Sequence, residues 1–171
     1  GVVGKTHLWG HGPGHANQHE QEMQDWGFVD ARETTGPSES LLTDSLYTDH
    51  LAARGLLDAH RQYFEMYLRE TRPYPWELPS TPLPTEDHLD VFIGRLAQEW
   101  INDCDNAEPF YLQVNFGGPH DPWDAPPEYR SLYNPDDMPL SIRDQRTGPL
   151  SSHVELLLKH APNKLNKMGV A

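Results

Sequence analysis

The stretch TEDHLDVFIGRLAQEWINDCDNAEPFYLQVNF, residues 85–116, constrains the fold more than any other part of this chain. Leu89, Phe92, Ile93, Leu96, Ala97, Trp100 and Ile101 recur at the three- and four-residue spacing of one helix face. Thr85 stands where a helix cap belongs, with Glu86 and Asp87 against the positive helix end. A polar turn over 103–108 follows, and then strand alternation. Phe110, Leu112, Val114 and Phe116 share one face; Tyr111, Gln113 and Asn115 share the other. Tyr111 and Gln113 suit a face that a helix covers. A long amphipathic helix, a short turn and a strand make an αβ unit. Such units build mostly parallel sheets with helices on both faces, so the expected class is α/β.

The rest of the chain is read around that unit. Val2-Val3 is expected to end a buried strand. Residues 10–45 are rich in Gly, His, Asn, Ser and Thr and are expected to form loop, with an extended piece at Gly27-Phe28-Val29. SLYTDHLAARGLLDAHRQYFEMYLRE carries two helical patterns divided at Gly55. Leu57, His60 and Arg61 begin the second, with Phe64, Met66 and Tyr67 on its later turns. Residues 71–84 hold five prolines and are expected to run extended over the surface. One more helix is expected near 151–160. The apolar share is 36% and prolines number 16, which fits long Pro-rich loops or a piece of something larger. The chain starts at a strand-like GVVGK and stops at LNKMGVA, so residues 1–171 are expected to be the central part of a larger domain, incomplete at both ends.

The net charge of −13, with no basic run of five or more, argues against nucleic acid and anionic membranes as partners. No apolar stretch reaches the ~18 residues of a membrane span. A single cysteine, Cys104, excludes an internal disulfide framework and a multi-cysteine zinc site. Flanked by Asp103 and Asp105, it reads as structural rather than reactive.

Four histidines, His7, His11, His15 and His19, are spaced four apart. They do not stripe a helix. Gly10, Gly12, Pro13 and Gly14 lie between them and together oppose a helix by roughly 6 kcal/mol. Lys5 and His7 instead continue the strand of Val2-Val3, where alternate residues point the same way about 6.5–7 Å apart. In open α/β sheets, ligands sit beyond the carboxyl ends of strands. A fixed cation and an imidazole there suit a tetrahedral oxyanion. The second group, Pro119-His120-Asp121-Pro122-Trp123, also follows a strand end, and a pocket shared by the two groups is expected. Gly117 and Gly118 leave room for backbone to approach a ligand. Asp121 either orients a histidine or caps a turn, and the turn is the preferred reading. Trp123 and Trp76 are candidate aromatic walls, and His11, His15 and His19 are read as loop residues near the pocket.

These residues resemble a known family. GKTHL looks like the GK-x-H-L signature of the sulfatases, within the alkaline phosphatase superfamily. PFYLQVNFGGPHDPWDAPPEY resembles their later PF-strand-PH-x-P segment, TEDHLDVFIGRLAQEWI the helix before it, and LYTDHLAARGL an earlier helix. The resemblance implies a partial alkaline-phosphatase-like sandwich and a metal-dependent hydrolase of sulfate monoesters, small-molecule or carbohydrate. It implies a formylglycine nucleophile made in a C/S-x-P-x-R motif, and a Ca²⁺ ion on the sulfate oxygens. Cys104 lies in NDCDNAE, outside such a motif, so nucleophile and calcium ligands are expected outside this chain, and no metal ligand is assigned within it. By the same resemblance Lys5 neutralises the sulfate and the nucleophile's oxyanion, and His7 bonds the formylglycine hydrate. His120 contacts the sulfate or protonates the leaving oxygen. Trp123 joins Lys5 and His120 in substrate binding. Thr6 stands where the family usually has an aromatic residue, and Trp9 where it usually has Gly. Rival readings are a phosphonate or phosphate ester hydrolase of the same superfamily, a non-catalytic sulfatase-like domain, and a histidine-rich metal-binding module.

Overall fold

The computed structural model describes residues 1–69, 80–104, 108–139, 149 and 151–160. Trp76 and most of the expected Pro-rich excursion lie outside them. The element order is β1 (Val2–Lys5), β2 (Gly14–His15), α1 (Glu20–Asp25), β3 (Ala31–Thr34), β4 (Thr43–Asp44), α2 (Leu46–Ala53), α3 (Leu57–Arg69), α4 (Leu89–Asp103), β5 (Gln113–Asn115), α5 (Pro127–Arg130) and α6 (Ser152–His160). The fold is mixed α/β. Every strand pair among the described residues is parallel: β1 lies between β3 and β5, and β2 pairs with β4 in a second small sheet.

The central strand shows why the chain folds this way. Val2 and Val3 are wholly buried on opposite faces of the sheet. Val2 packs with Trp9, Ala16 and Met23, so α1 and the turn before it cover one face. Val3 packs with Tyr47, Leu51, Ile93, Ala97 and Trp100, so α2 and α4 cover the other. The chain crosses from β1 to β3 in one direction and returns past β1 to β5. Right-handed crossovers in opposite directions put their helices on opposite faces. Gly4 makes the β1–β5 pairing possible. Its φ is +97°, and a Cβ there would fall on the carbonyl oxygen of Asn115.

The expected αβ unit is present, with differences at its ends. Leu89, Phe92, Ile93, Ala97 and Trp100 are buried, each worth about 1.5–3 kcal/mol for the large side chains. Ile101, expected on that face, is 45% exposed because it sits on the last turn, beyond the sheet. The cap is His88 rather than Thr85: its side chain accepts from the Asp90 amide. Thr85 to Asp87 form a 3₁₀ turn, and Thr85 donates to Glu128. Asp87 is fully buried, taking His50 Nε2 at 2.7 Å and Arg54 Nη2 at 2.9 Å, which ties α2 to the start of α4.

β5 covers only Gln113–Asn115 of the expected strand, and Phe110, Tyr111 and Phe116 are exposed. Leu112 and Val114 do pack on the α4 core as the alternation requires. On the opposite face, Met23 of α1 packs with Val2 of β1 and Ala31 of β3. The two helices over 45–70 are present, and Gly55 between them has φ +69°. The helix expected near 151–160 is α6.

Residues 10–45 are a correction. They hold β2, a 3₁₀ turn, α1, β3 and β4 rather than loop, and the extended element is Ala31–Thr34 rather than 27–29. Arg32 and Glu33 hide that strand in the sequence. Both charges are paired: Arg32 Nη2 with Asp103 at 2.9 Å, Glu33 with Thr6 and Trp9.

Candidate active site

Two chain segments leave the same edge of the sheet. β1 runs into Lys5-Thr6-His7, and its parallel neighbour β5 runs into Gly117-Gly118-Pro119-His120. Lys5 is half-buried; His7 and His120 are exposed. Lys5 and His7 line one cleft with Gln113, Asn115 and Phe116. His120 and Trp123 line an adjoining pocket of about 320 Å³. Gly118 borders both hollows: Lys5 and His7 line one together, and His120 lines the other. Lys5 nonetheless acts electrically on that loop: it is among the charges that favour ionised Asp121.

The loop after β5 is anchored from behind. Asp90, in the first turn of α4, accepts from the Gly117 amide at 2.7 Å and the Gly118 amide at 3.1 Å. A Cβ on Gly118 would lie 2.8 Å from Asp90 Oδ2, and one on Gly117 would lie 2.8 Å from Leu89 Cδ2. The glycines thus let the backbone close on the helix, where proximity to a ligand was expected.

His120 is fixed by its neighbour. Its Nδ1 lies 2.6 Å from the Asp121 carbonyl oxygen and 3.2 Å from Asp121 Oδ1. A carbonyl only accepts, so Nδ1 carries the proton and the neutral ring keeps Nε2 as its acceptor. Asp121 is therefore more than a turn cap. Tyr67 donates to its Oδ2 at 2.6 Å, and that bond, with help from His120 and Lys5, holds its carboxyl below the usual range. A carboxylate kept ionised beside an imidazole steadies the ring when it takes a second proton.

The turn carrying His7 is held by a group that the sequence reading did not single out. Glu33 is buried and accepts from Thr6 Oγ1 and from Trp9 Nε1, the latter at 2.9 Å. Thr6 and Trp9 are the two departures from the sulfatase signature, and here they share one carboxylate. The sequence carries no local signal for this contact, since the acid stands two dozen residues on. Trp9 also stacks on His19, with ring centroids 3.9 Å apart, and meets His11 edge-on. Burial is the main reason that the His11 imidazole loses its proton more readily than usual. His15 caps the 3₁₀ turn through Nδ1 and pairs with Asp49 through Nε2 at 3.1 Å. The four histidines are spread over two loops, a strand and a turn, not one helix.

Among the described residues, no three His, Cys, Asp or Glu side chains are arranged to hold a metal ion. The described residues thus offer no such ligand set for the implied calcium, whose ligands were expected outside this chain.

A stretch of the chain resembles a sulfatase. Over 47 residues it is 28% identical to the N-acetylglucosamine-6-sulfatases of Capra hircus and of Bos taurus, covering 28% of this chain and 8% of each relative. The matched stretch thus spans under a tenth of those relatives' length. No protein-family profile matches the chain, and no solved structure matches it. Chemically, the arrangement offers a half-buried ammonium and an imidazole in one cleft, and a carboxylate-steadied imidazole on the next loop. Such a set can bind an oxyanion and move a proton.

Proposed function

We propose that this chain is the central part of the catalytic domain of a sulfuric ester hydrolase. Lys5 and His7 act on the sulfate end of a monoester, and His120 acts at the ester oxygen. One observation carries the reading: two adjacent parallel strands, in register, send these residues out of the same sheet edge. The short likeness to N-acetylglucosamine-6-sulfatases supports it. Each residue has a defined task. Lys5 offsets the negative charge that grows on the nonbridging oxygens. His7 donates to the nucleophile's oxygen. The His120 ring, held by Asp121, gives a proton to the departing alcohol. On this reading the formylglycine and the calcium ion come from residues outside this chain, and the chain alone turns over no ester.

The experiment uses the full-length protein that contains this chain. Hydrolysis of 4-nitrophenyl sulfate is expected to fall roughly 10²–10³-fold in Lys5→Ala, the usual loss for one oxyanion donor. An unchanged rate contradicts the assignment. Faster hydrolysis of 4-nitrophenyl phosphate than of the sulfate by the unmodified protein would favour the phosphorus-ester rival.

A further inference from the structure

The 320 Å³ pocket beside His120 contains a group that the hydrolase reading does not use. Asp124 is buried, with 9% of its surface exposed, and it lines this pocket. Among the described residues its carboxylate makes no hydrogen bond. Its one ion-pair neighbour, His88 Nε2, stands 3.8 Å away, beyond hydrogen-bond reach. His88 is itself held through Nδ1, which accepts from the Asp90 amide at 3.4 Å. Asp90 is occupied by the Gly117 and Gly118 amides. His60, on another wall, brings no charge: burial lowers its pKa to about 4. None of the described lining residues is Lys or Arg. The remaining wall is largely apolar and aromatic, with Tyr47, Phe64, Leu83, Leu89 and Trp123.

A carboxylate facing a largely apolar pocket gains from a bound donor that meets it. The volume is at the small end for organic ligands. We propose that this pocket binds an organic cation, a primary ammonium on an aromatic or short alkyl body, with its N–H donors on Asp124. An ammonium offers three donors, and the aromatic walls add attraction for a positive charge. An anion of the same shape is repelled. With one carboxylate on an apolar wall and no group of three metal-ligating side chains among the described residues, the site suits an organic cation rather than a metal ion. The pocket shares His120 and Trp123 with the ester-hydrolase reading, but binding requires neither nucleophile nor calcium, so the two claims fail separately.

The test is an NMR titration, at pH 7.5, of the full-length protein that contains this chain, following the imidazole signals of His60 and His88. The probes are tyramine, its neutral counterpart 4-ethylphenol and its anionic counterpart 4-hydroxyphenylacetate. Tyramine is expected to shift both imidazoles saturably and to bind roughly tenfold or more tighter than either counterpart, as one charge-assisted hydrogen bond implies. Asp124→Asn is expected to remove that advantage and leave 4-ethylphenol binding unchanged. If Asp124→Asn does not fold, the ranking of the three probes on the unmodified protein decides. Absence of tyramine binding, equal binding of the acid, or an advantage that survives Asp124→Asn overturns the proposal.

Discussion

Glu33 is a single residue on which the turn carrying His7 depends. Its carboxylate is buried and accepts from both Thr6 and Trp9. Trp9→Phe keeps most of the ring but removes the donor, leaving a buried acceptor short of a partner. The expected loss is about 1–3 kcal/mol of unfolding free energy, read from urea denaturation. His60 makes a pH prediction at the same scale. Its folded pKa, about 4, lies below the unfolded value of 6.5, so the unfolded chain binds the proton first. Its contribution is complete above pH 6.5 and is lost as pH falls toward 4, by roughly 3 kcal/mol in all. His60→Gln retains a side-chain amide for Ser40, whose Oγ lies 2.9 Å from His60 Nε2. Urea midpoints at pH 7 and pH 4.5 are expected to differ less in this variant than in the parent. An equal difference in both would remove His60 from the account. None of these residues was legible in the sequence. Glu33 and His60 look like surface groups until distant partners arrive, and those partners come only with the tertiary fold.

At the scale of elements, the sequence was most informative where periodicity ran long. α4, α3 and the break at Gly55 were visible because their apolar residues keep step over several turns. β3 was not, since four residues reading Ala-Arg-Glu-Thr give no alternation of hydrophobic with polar. The cap of α4 was misplaced because Thr85 and His88 both head acceptable first turns. What decides is the burial of Asp87, which the sequence does not show. Asp90 links α4 to the loop after β5, and its two amide bonds are the prediction here. Asp90→Ala is expected to speed hydrogen exchange at Gly117 and Gly118 and to cost about 2 kcal/mol. Exchange unaltered at both glycines would show that the anchor is idle. Ile93, wholly buried beside Gly4, sets the other limit of the element: Ile93→Ala is expected to cost about 2–5 kcal/mol by chemical denaturation.

Across the whole molecule, α/β class and parallel pairing follow from one αβ unit and one apolar strand. The sequence placed the Lys5–His7 group and the His120 group at strand ends. It did not show that β1 and β5 are neighbours, nor that the two groups line separate hollows that meet at Gly118. Pairing of strands more than a hundred residues apart leaves no local mark. Among the described residues the outer edges of β3 and β5 are unpaired, and Phe110, Tyr111 and Phe116 are exposed near the latter. Such edges favour further strand pairing. The central claim is that these two strand ends serve one anion. Its most direct measurement is a sulfate titration of the full-length protein that contains this chain, following the Lys5 ammonium and the His7 and His120 imidazole signals by NMR. The account predicts that all three move along one saturation curve and that Lys5→Ala weakens the response of both imidazoles together. A His120 signal that stays still, or saturates at a different sulfate concentration from Lys5 and His7, would contradict it.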